Sequence, residues 1–342
     1  MTITRAIDVG HGNTKFTTAD ADADFNCMMF PSISPPGTKK FDVSNSIFAA
    51  GEMVQIEIDG ANYMVGKDSE TEASSNTRRM LDKEFSTTNV YLALVRGALY
   101  YMNQPKIDML VLGLPLTTYE THREKLRERM VGGHKIPNPM RQRRPDAPEF
   151  ISVELAAVRI LPQPVGAFFN YSLPRNLYGA MSAQRNLILD VGHGTFDWFL
   201  AQGNQPIKSR SDGYSGGISK VIDSVADAIG AGKNNFAVMG LIDQGLRTNK
   251  PIEINGNEYN LVRDYGKVAA NAIREAVGAM AHGVGDMSDV NNIILTGGGA
   301  DLFYDEVVKA LPGRKIIKDD NPIFSNVCGF QLVGEQWISE RE

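Results

Sequence analysis

The residues best suited to chemistry lie in two short runs that echo each other: Ile7-Asp8-Val9-Gly10-His11-Gly12 recurs as Leu189-Asp190-Val191-Gly192-His193-Gly194. Each run links two apolar stretches, so each reads as a strand, a tight turn and a second strand. Glycines in the turn put no side chain between backbone N–H groups and an approaching anion. Successive turn amides form a nest that suits phosphate oxygens. Asn13, Thr14 and Thr195 add side-chain donors, and Lys15 places a positive charge beside the same space. Asp8 and Asp190 lie at strand ends just before the turns, where carboxylates can hold the water shell of Mg2+ if the two turns face each other. Binding of a polyphosphate with its divalent cation is the expected chemistry.

A third signal is Ile293-Ile294-Leu295-Thr296-Gly297-Gly298-Gly299-Ala300, a strand feeding glycines into a helix, where a nucleotide can lie against bare backbone. Gly213, Gly216 and Gly217 also precede a helix and suit either an approach to sugar or phosphate or a plain helix cap. One glycine turn is usually only a turn; three in this order, two of them near-copies, point together to a nucleotide. The duplicated His11 and His193 invite a metal-ligand reading, but a metal site needs three or four ligands, and phosphate contact or turn filling fits better. Asp197 is suited to the metal's outer shell or to a structural hydrogen bond. Trp198 and Trp337 read as packing residues.

The elements that must position these residues alternate between strand and helix, which predicts an α/β architecture of helices on mixed sheets. Hairpins are expected over 5–19, 56–65, 187–200 and 252–261, the second and fourth with Asp-Gly or Asn-Gly at the tip. Apolar spacing predicts helices over 90–102, 164–169, 218–229, 268–280 and 301–311. Strands are expected over 107–112, 151–160 and 291–296, and a charged helix capped by Thr117 runs to Met130. Proline-rich 132–148, with Arg141, Arg143 and Arg144, reads as a loop or ribbon, and 31–51 as a flexible connection. The repeat itself implies two halves built alike.

With 342 residues the chain can bury a sizeable core, and 40 acids against 35 bases, net charge -5, give no footprint for direct high-affinity nucleic-acid binding. No run approaches the roughly 18 apolar residues of a membrane span, and the first ten residues lack a signal-peptide core. The two cysteines, Cys27 and Cys328, lie far apart and read as reduced thiols. A cytoplasmic protein is expected.

On these motifs the sequence resembles the actin-like ATPase superfamily (actin, Hsp70 and sugar-kinase fold), most closely its ParM/StbA plasmid-segregation group. Residues 8–15 and 190–197 resemble that family's two phosphate loops, and 295–302 its adenosine motif. The stretches 161–167 and 325–330 resemble its interdomain connectors, and Val111-Leu112-Gly113-Leu114-Pro115 is similar to that group as well. The resemblance implies two similar RNase H-like domains around a nucleotide cleft. The first, 1–165, would carry a smaller inserted subdomain; the second is 166–330, and a C-terminal helix, 331–342, would return to the first. It implies ATP and Mg2+ as ligands, with Asp8 and Asp190 organising the metal and Gln163 orienting the attacking water. The binding set would be Gly10, His11, Gly12, Asn13, Thr14, Lys15, Gly192, His193, Gly194, Thr195, Gly216, Gly217, Gly297, Gly298 and Gly299. Slow, assembly-coupled ATP hydrolysis, filaments of the chain itself, and plasmid DNA moved through a DNA-bound adaptor would follow. A small-molecule kinase of the same fold and an ATP-binding scaffold that forms no filaments are the alternatives.

Overall fold

The computed structural model describes residues 2–19, 25–36, 52–73, 79–203, 205–232 and 235–340. Most of the connection expected over 31–51 lies outside them, as do residues 74–78. The chain divides into two compact units, one of Met1–Leu114, Glu120–Leu161 and Phe330–Glu342, the other of Pro115–Tyr119 and Pro162–Gly329. Its mixed sheets and helices make an α/β fold.

The main sheet of the first unit runs, in order, Val158–Pro162, Met109–Leu114, Thr4–Val9, Asn13–Thr18 and Asn26–Pro31. Thr4–Val9 pairs in parallel with Met109–Leu114 and antiparallel with Asn13–Thr18. All six residues of both parallel strands are buried, as expected of strands covered on both faces. The helix Asn89–Met102, capped by Thr88, packs on this sheet. The part of the helix Ser325–Ser339 that belongs to this unit, from Phe330 on, also lies against it, so closely that a Cβ on Gly334 would stand 2.7 Å from Thr4 Cγ2. Thr17 Oγ1 donates to Gln331 Oε1 at 2.6 Å, and Gln331 Nε2 donates to the Thr4 carbonyl at 3.0 Å, so the contact satisfies its own polar groups.

Two strands break where the chain changes sheets. The apolar run from Ile107 splits at Asp108, whose N–H donates to the Ile3 carbonyl while its carboxylate accepts from the Ile3 amide. The single strand expected over 151–160 is two, Phe150–Leu155 and Val158–Pro162. Ala156 N–H bonds Ile107 of the small sheet, and the Ala157 carbonyl accepts from Leu110 of the main one. Gly132–Pro137 is a strand of that small sheet rather than a loop. Thr117 does not cap its helix: Leu116–Met130 starts a residue before it, with the Pro115 carbonyl taking the first amides.

In the second unit the sheet order is Gln205–Pro206, Phe196–Gln202, Arg185–Val191, Asn292–Thr296 and Ile316–Lys318, with Asp212–Tyr214 also beside Phe196–Gln202. Leu187, Leu189 and Val191 face a core built by the helices Ile218–Ala228, Leu261–Val284 and Ala300–Ala310. Ile188, on the opposite face, meets Ala167 and Phe168 of the helix Gln163–Ser172. The turn Asn255-Gly256, like Asp59-Gly60 in the first unit, has positive φ at both residues, the type I′ geometry that the sequence signals. Leu261–Val284 begins seven residues before the expected 268, capped by the Asn260 side chain. The helix Phe236–Thr248 and the strand Asn26–Pro31 were not anticipated.

Candidate functional site

Both echoed runs fold as the same hairpin. Gly10 N–H donates to the Asn13 carbonyl at 3.1 Å, and Gly192 N–H donates to the Thr195 carbonyl at 2.9 Å. Val9 pairs with Thr14 in the first and Val191 with Phe196 in the second. The turn glycines Gly10, Gly12, Gly192 and Gly194 are not among those with positive φ. Their value here is the missing side chain. Among the described residues no protein acceptor takes the amides of His11, Gly12, Gly194 or Thr195, which leaves donors in each turn for an anion.

In the first hairpin Asp8 is buried and pairs with Lys15, Nζ to carboxylate 3.0 Å. Thr14 is fully buried with its hydroxyl 2.9 Å from Ser32 Oγ, so that side chain is engaged by protein. His11 stacks on Phe85, ring centroids 5.5 Å apart. Burial lowers the His11 pKa, with nearby Asp8 pulling the other way, so the imidazole is neutral at pH 7.

In the second hairpin Asp190 and Asp197 are cross-strand partners on the face that also carries Ile188. Both are buried. Asn326 Nδ2 donates to Asp190 at 2.7 Å, and Thr195 Oγ1 donates to Asp197 at 2.9 Å, while Asp197 Oδ1 has no hydrogen-bond partner among the described residues. Burial and, after it, the Asp190 charge push the Asp197 pKa up to about 8 against the pull of the Thr195 hydroxyl. Asp197 therefore keeps its proton at neutral pH.

Three glycine segments meet at the end of the strand Arg185–Val191. A Cβ on Gly217 would stand 2.3 Å from the Gly192 carbonyl oxygen, and one on Gly299 would stand 2.4 Å from Val191 Cγ1. Gly297, at φ +86, would bring a Cβ to 2.4 Å from Asp190 Oδ1. Gly217, Ile218 and Ser219 donate their amides to the carbonyls of Gly194, Gly192 and His193. The expected residues Asp190, Gly192, His193, Gly194, Thr195, Gly217, Gly297 and Gly299 thus share one place in this unit. Gly298 borders it, its carbonyl accepting from Arg247 at 2.6 Å. Gly216 lies under the Tyr214 ring, and Gln163 is buried at the first position of its helix, just after Pro162. Among the described residues no group of three or more His, Cys, Asp or Glu side chains that could hold a metal ion converges.

Residues 6–166 match the family of actin-like protein N-terminal domains, and 188–309 match the C-terminal domain of MreB-like archaeal actin homologues. The chain belongs to the actin-like superfamily. Among solved structures, this actin-like protein is similar to Ta0583, an archaeal actin homologue, with a TM-score of 0.75 at 19% identity over 98% of this chain and 99% of the other. The complex of Ta0583 with ADP gives 0.74 at 20% identity, covering 98% and 99%. A ParM from a 15-stranded Clostridium botulinum filament gives 0.75 at 20%, covering 98% and 100%. No curated protein sequence matches the chain.

Sequence reasoning did not find Asn326, Phe85 or the pairing of Lys15 with Asp8. The last had a local signal: in an antiparallel hairpin with a turn between residues 10 and 13, position 15 must face position 8. Asn326 lies 136 residues from Asp190 and gives no local sign.

Proposed function

We propose that this actin-like protein binds Mg-ATP through its two glycine turns, hydrolyses it slowly, and polymerises into filaments that segregate plasmid DNA through a DNA-bound adaptor. The observation that carries the reading is the crowding of Gly217, Gly297 and Gly299 onto the backbone of Asp190–His193, beside turn amides with no protein acceptor. A turn with no ligand needs neither.

In this reading the amides of His11, Gly12, Gly194 and Thr195 receive phosphate oxygens, Lys15 adds positive charge, and Gly298 with its neighbours leaves room for the nucleoside. Asp8 and Asp190 hold Mg2+ through its water shell; buried carboxylate oxygens are the hard donors that this cation prefers. Mg-ATP supplies a transferable phosphoryl group and a cation that spreads its charge. Gln163 orients water but is too weak a base to take its proton, so turnover stays slow until assembly rearranges the site. The ADP complex of one protein of this fold and the filament of another support nucleotide binding and self-assembly here. Among the described residues no helix is long and apolar enough to cross a membrane, which agrees with a cytoplasmic filament.

Light scattering with ATP, ADP and a non-hydrolysable analogue, on the protein and on Asp190→Ala, tests the proposal. We expect ATP-stimulated assembly that the substitution abolishes. Phosphate transfer to a metabolite without assembly would favour a kinase instead.

A further inference from the structure

The first glycine turn is braced from one side. His11 lies on Phe85 with ring planes 27° from parallel, and Tyr91 meets the same Phe85 edge-on, centroids 5.4 Å apart. Phe85 opens the short 3-10 turn Phe85–Thr87, too brief to hold a fixed shape unaided. His122 and Arg129, two turns apart on one helix face, pin it. His122 Nδ1 stands 2.9 Å from Ser86 Oγ, and its Nε2 is 3.5 Å from the Glu84 carboxylate. Arg129 donates to the Thr87 carbonyl at 2.7 Å, the Thr88 carbonyl at 2.9 Å and Asn89 Oδ1 at 2.7 Å. Ser86, His122 and Glu84 have the composition of a nucleophile, base and acid. With Ser86 and His122 both buried, no substrate reaches the hydroxyl, and the set is a strut.

We propose that Phe85 is a positioning residue for His11: its ring fixes the plane of the imidazole at the first phosphate turn, while His122 and Arg129 act through the turn that carries Phe85. The inference rests on reading Gly10–Asn13 as a phosphate site. A neutral imidazole has one donor and one acceptor nitrogen, so which of them meets a phosphate oxygen depends on ring orientation. Stacking restricts that rotation. The strut thus selects a donor, where a free ring would sample several arrangements.

Leucine at position 85 keeps the apolar bulk and loses the aromatic face; tyrosine keeps both. In the nucleotide-free protein, Phe85→Leu should displace the His11 ring proton resonances, assigned by their absence in His11→Ser, and Phe85→Tyr should leave them near their original positions. ATP affinity, from competition with a fluorescent analogue, should fall about tenfold in Phe85→Leu. In a His11→Ala background the same change should cost nothing more. Should Phe85→Leu not fold, Ser86→Ala removes the His122 tie while the Arg129 bonds stay, and it should move the same two readouts in the same direction by less. Unmoved His11 resonances, or losses that multiply in the double variant, would overturn the positioning role. If the resonances move but the unmodified protein binds no ATP, the nucleotide reading fails, and the purpose assigned to the stack fails with it.

Discussion

Asp8 faces Lys15 across the first hairpin, and at the same register Asp190 faces Asp197 across the second. The backbones match and the charges do not. In the first, a buried carboxylate is compensated by an ammonium at 3.0 Å; in the second, two buried acids meet, and one keeps its proton up to about pH 8. A repeated motif has therefore diverged into a hairpin that is electrostatically satisfied alone and one that is not. The second is also the one crowded by outside glycines, with Gly217, Gly297 and Gly299 against it, while a Cβ on Gly10 would come no nearer than 3.3 Å, to the Asn13 carbonyl oxygen.

The contrast can be attacked at both ends. Lys15→Met removes the ammonium beside buried Asp8 and should cost about 3 kcal/mol of stability in urea unfolding. A loss below about 0.5 kcal/mol would mean the pair is solvated and the hairpins are not so different. Gly217→Ala drives a methyl into the Gly192 carbonyl and should destabilise by about 2–3 kcal/mol, with weakened nucleotide binding. Equal losses in Gly10→Ala and Gly217→Ala would erase the asymmetry; the former should cost under about 1 kcal/mol.

Asp197→Asn sharpens the electrostatic half. Because the folded pKa of Asp197 lies above its unfolded value, the folded state holds a proton that the unfolded chain has lost between about pH 4 and pH 8. Stability from this group is therefore highest below the unfolded pKa, falls as pH rises through that window, and levels off above about 8. The asparagine variant should gain about 5 kcal/mol at pH 8.5 and nothing near pH 4, read from urea midpoints at each pH. A gain of the same size at both would show that charge is not its source.

Much of this was legible in residues 7–12 and 189–194, because a strand-turn-strand motif is local and a duplicated one identifies itself. The helix Ile218–Ala228 and the Asn-Gly and Asp-Gly hairpins were readable for the same reason. Phe236–Thr248 could have been found from its asparagines, since Asn235 caps one end and Asn249 takes the left-handed position at the other. The changes of sheet at Asp108 and Ala156 had no signature, because they depend on which distant carbonyl is waiting, Ile3 in one case and Ile107 in the other. The neighbour of Thr14 had no signature either, since Ser32, whose hydroxyl lies 2.9 Å from its own, stands eighteen residues on.

The start of the helix Ile218–Ala228 spends three successive amides, those of Gly217, Ile218 and Ser219, on the carbonyls of the second turn. Amides at such a position commonly bind the ligand themselves; here they weld turn and helix into one lever. Eleven residues of helix make an arm about 16 Å long, so rocking the turn by about 4° swings the far end by about 1 Å. Whatever tilts Gly192–Thr195 must also move Ala228.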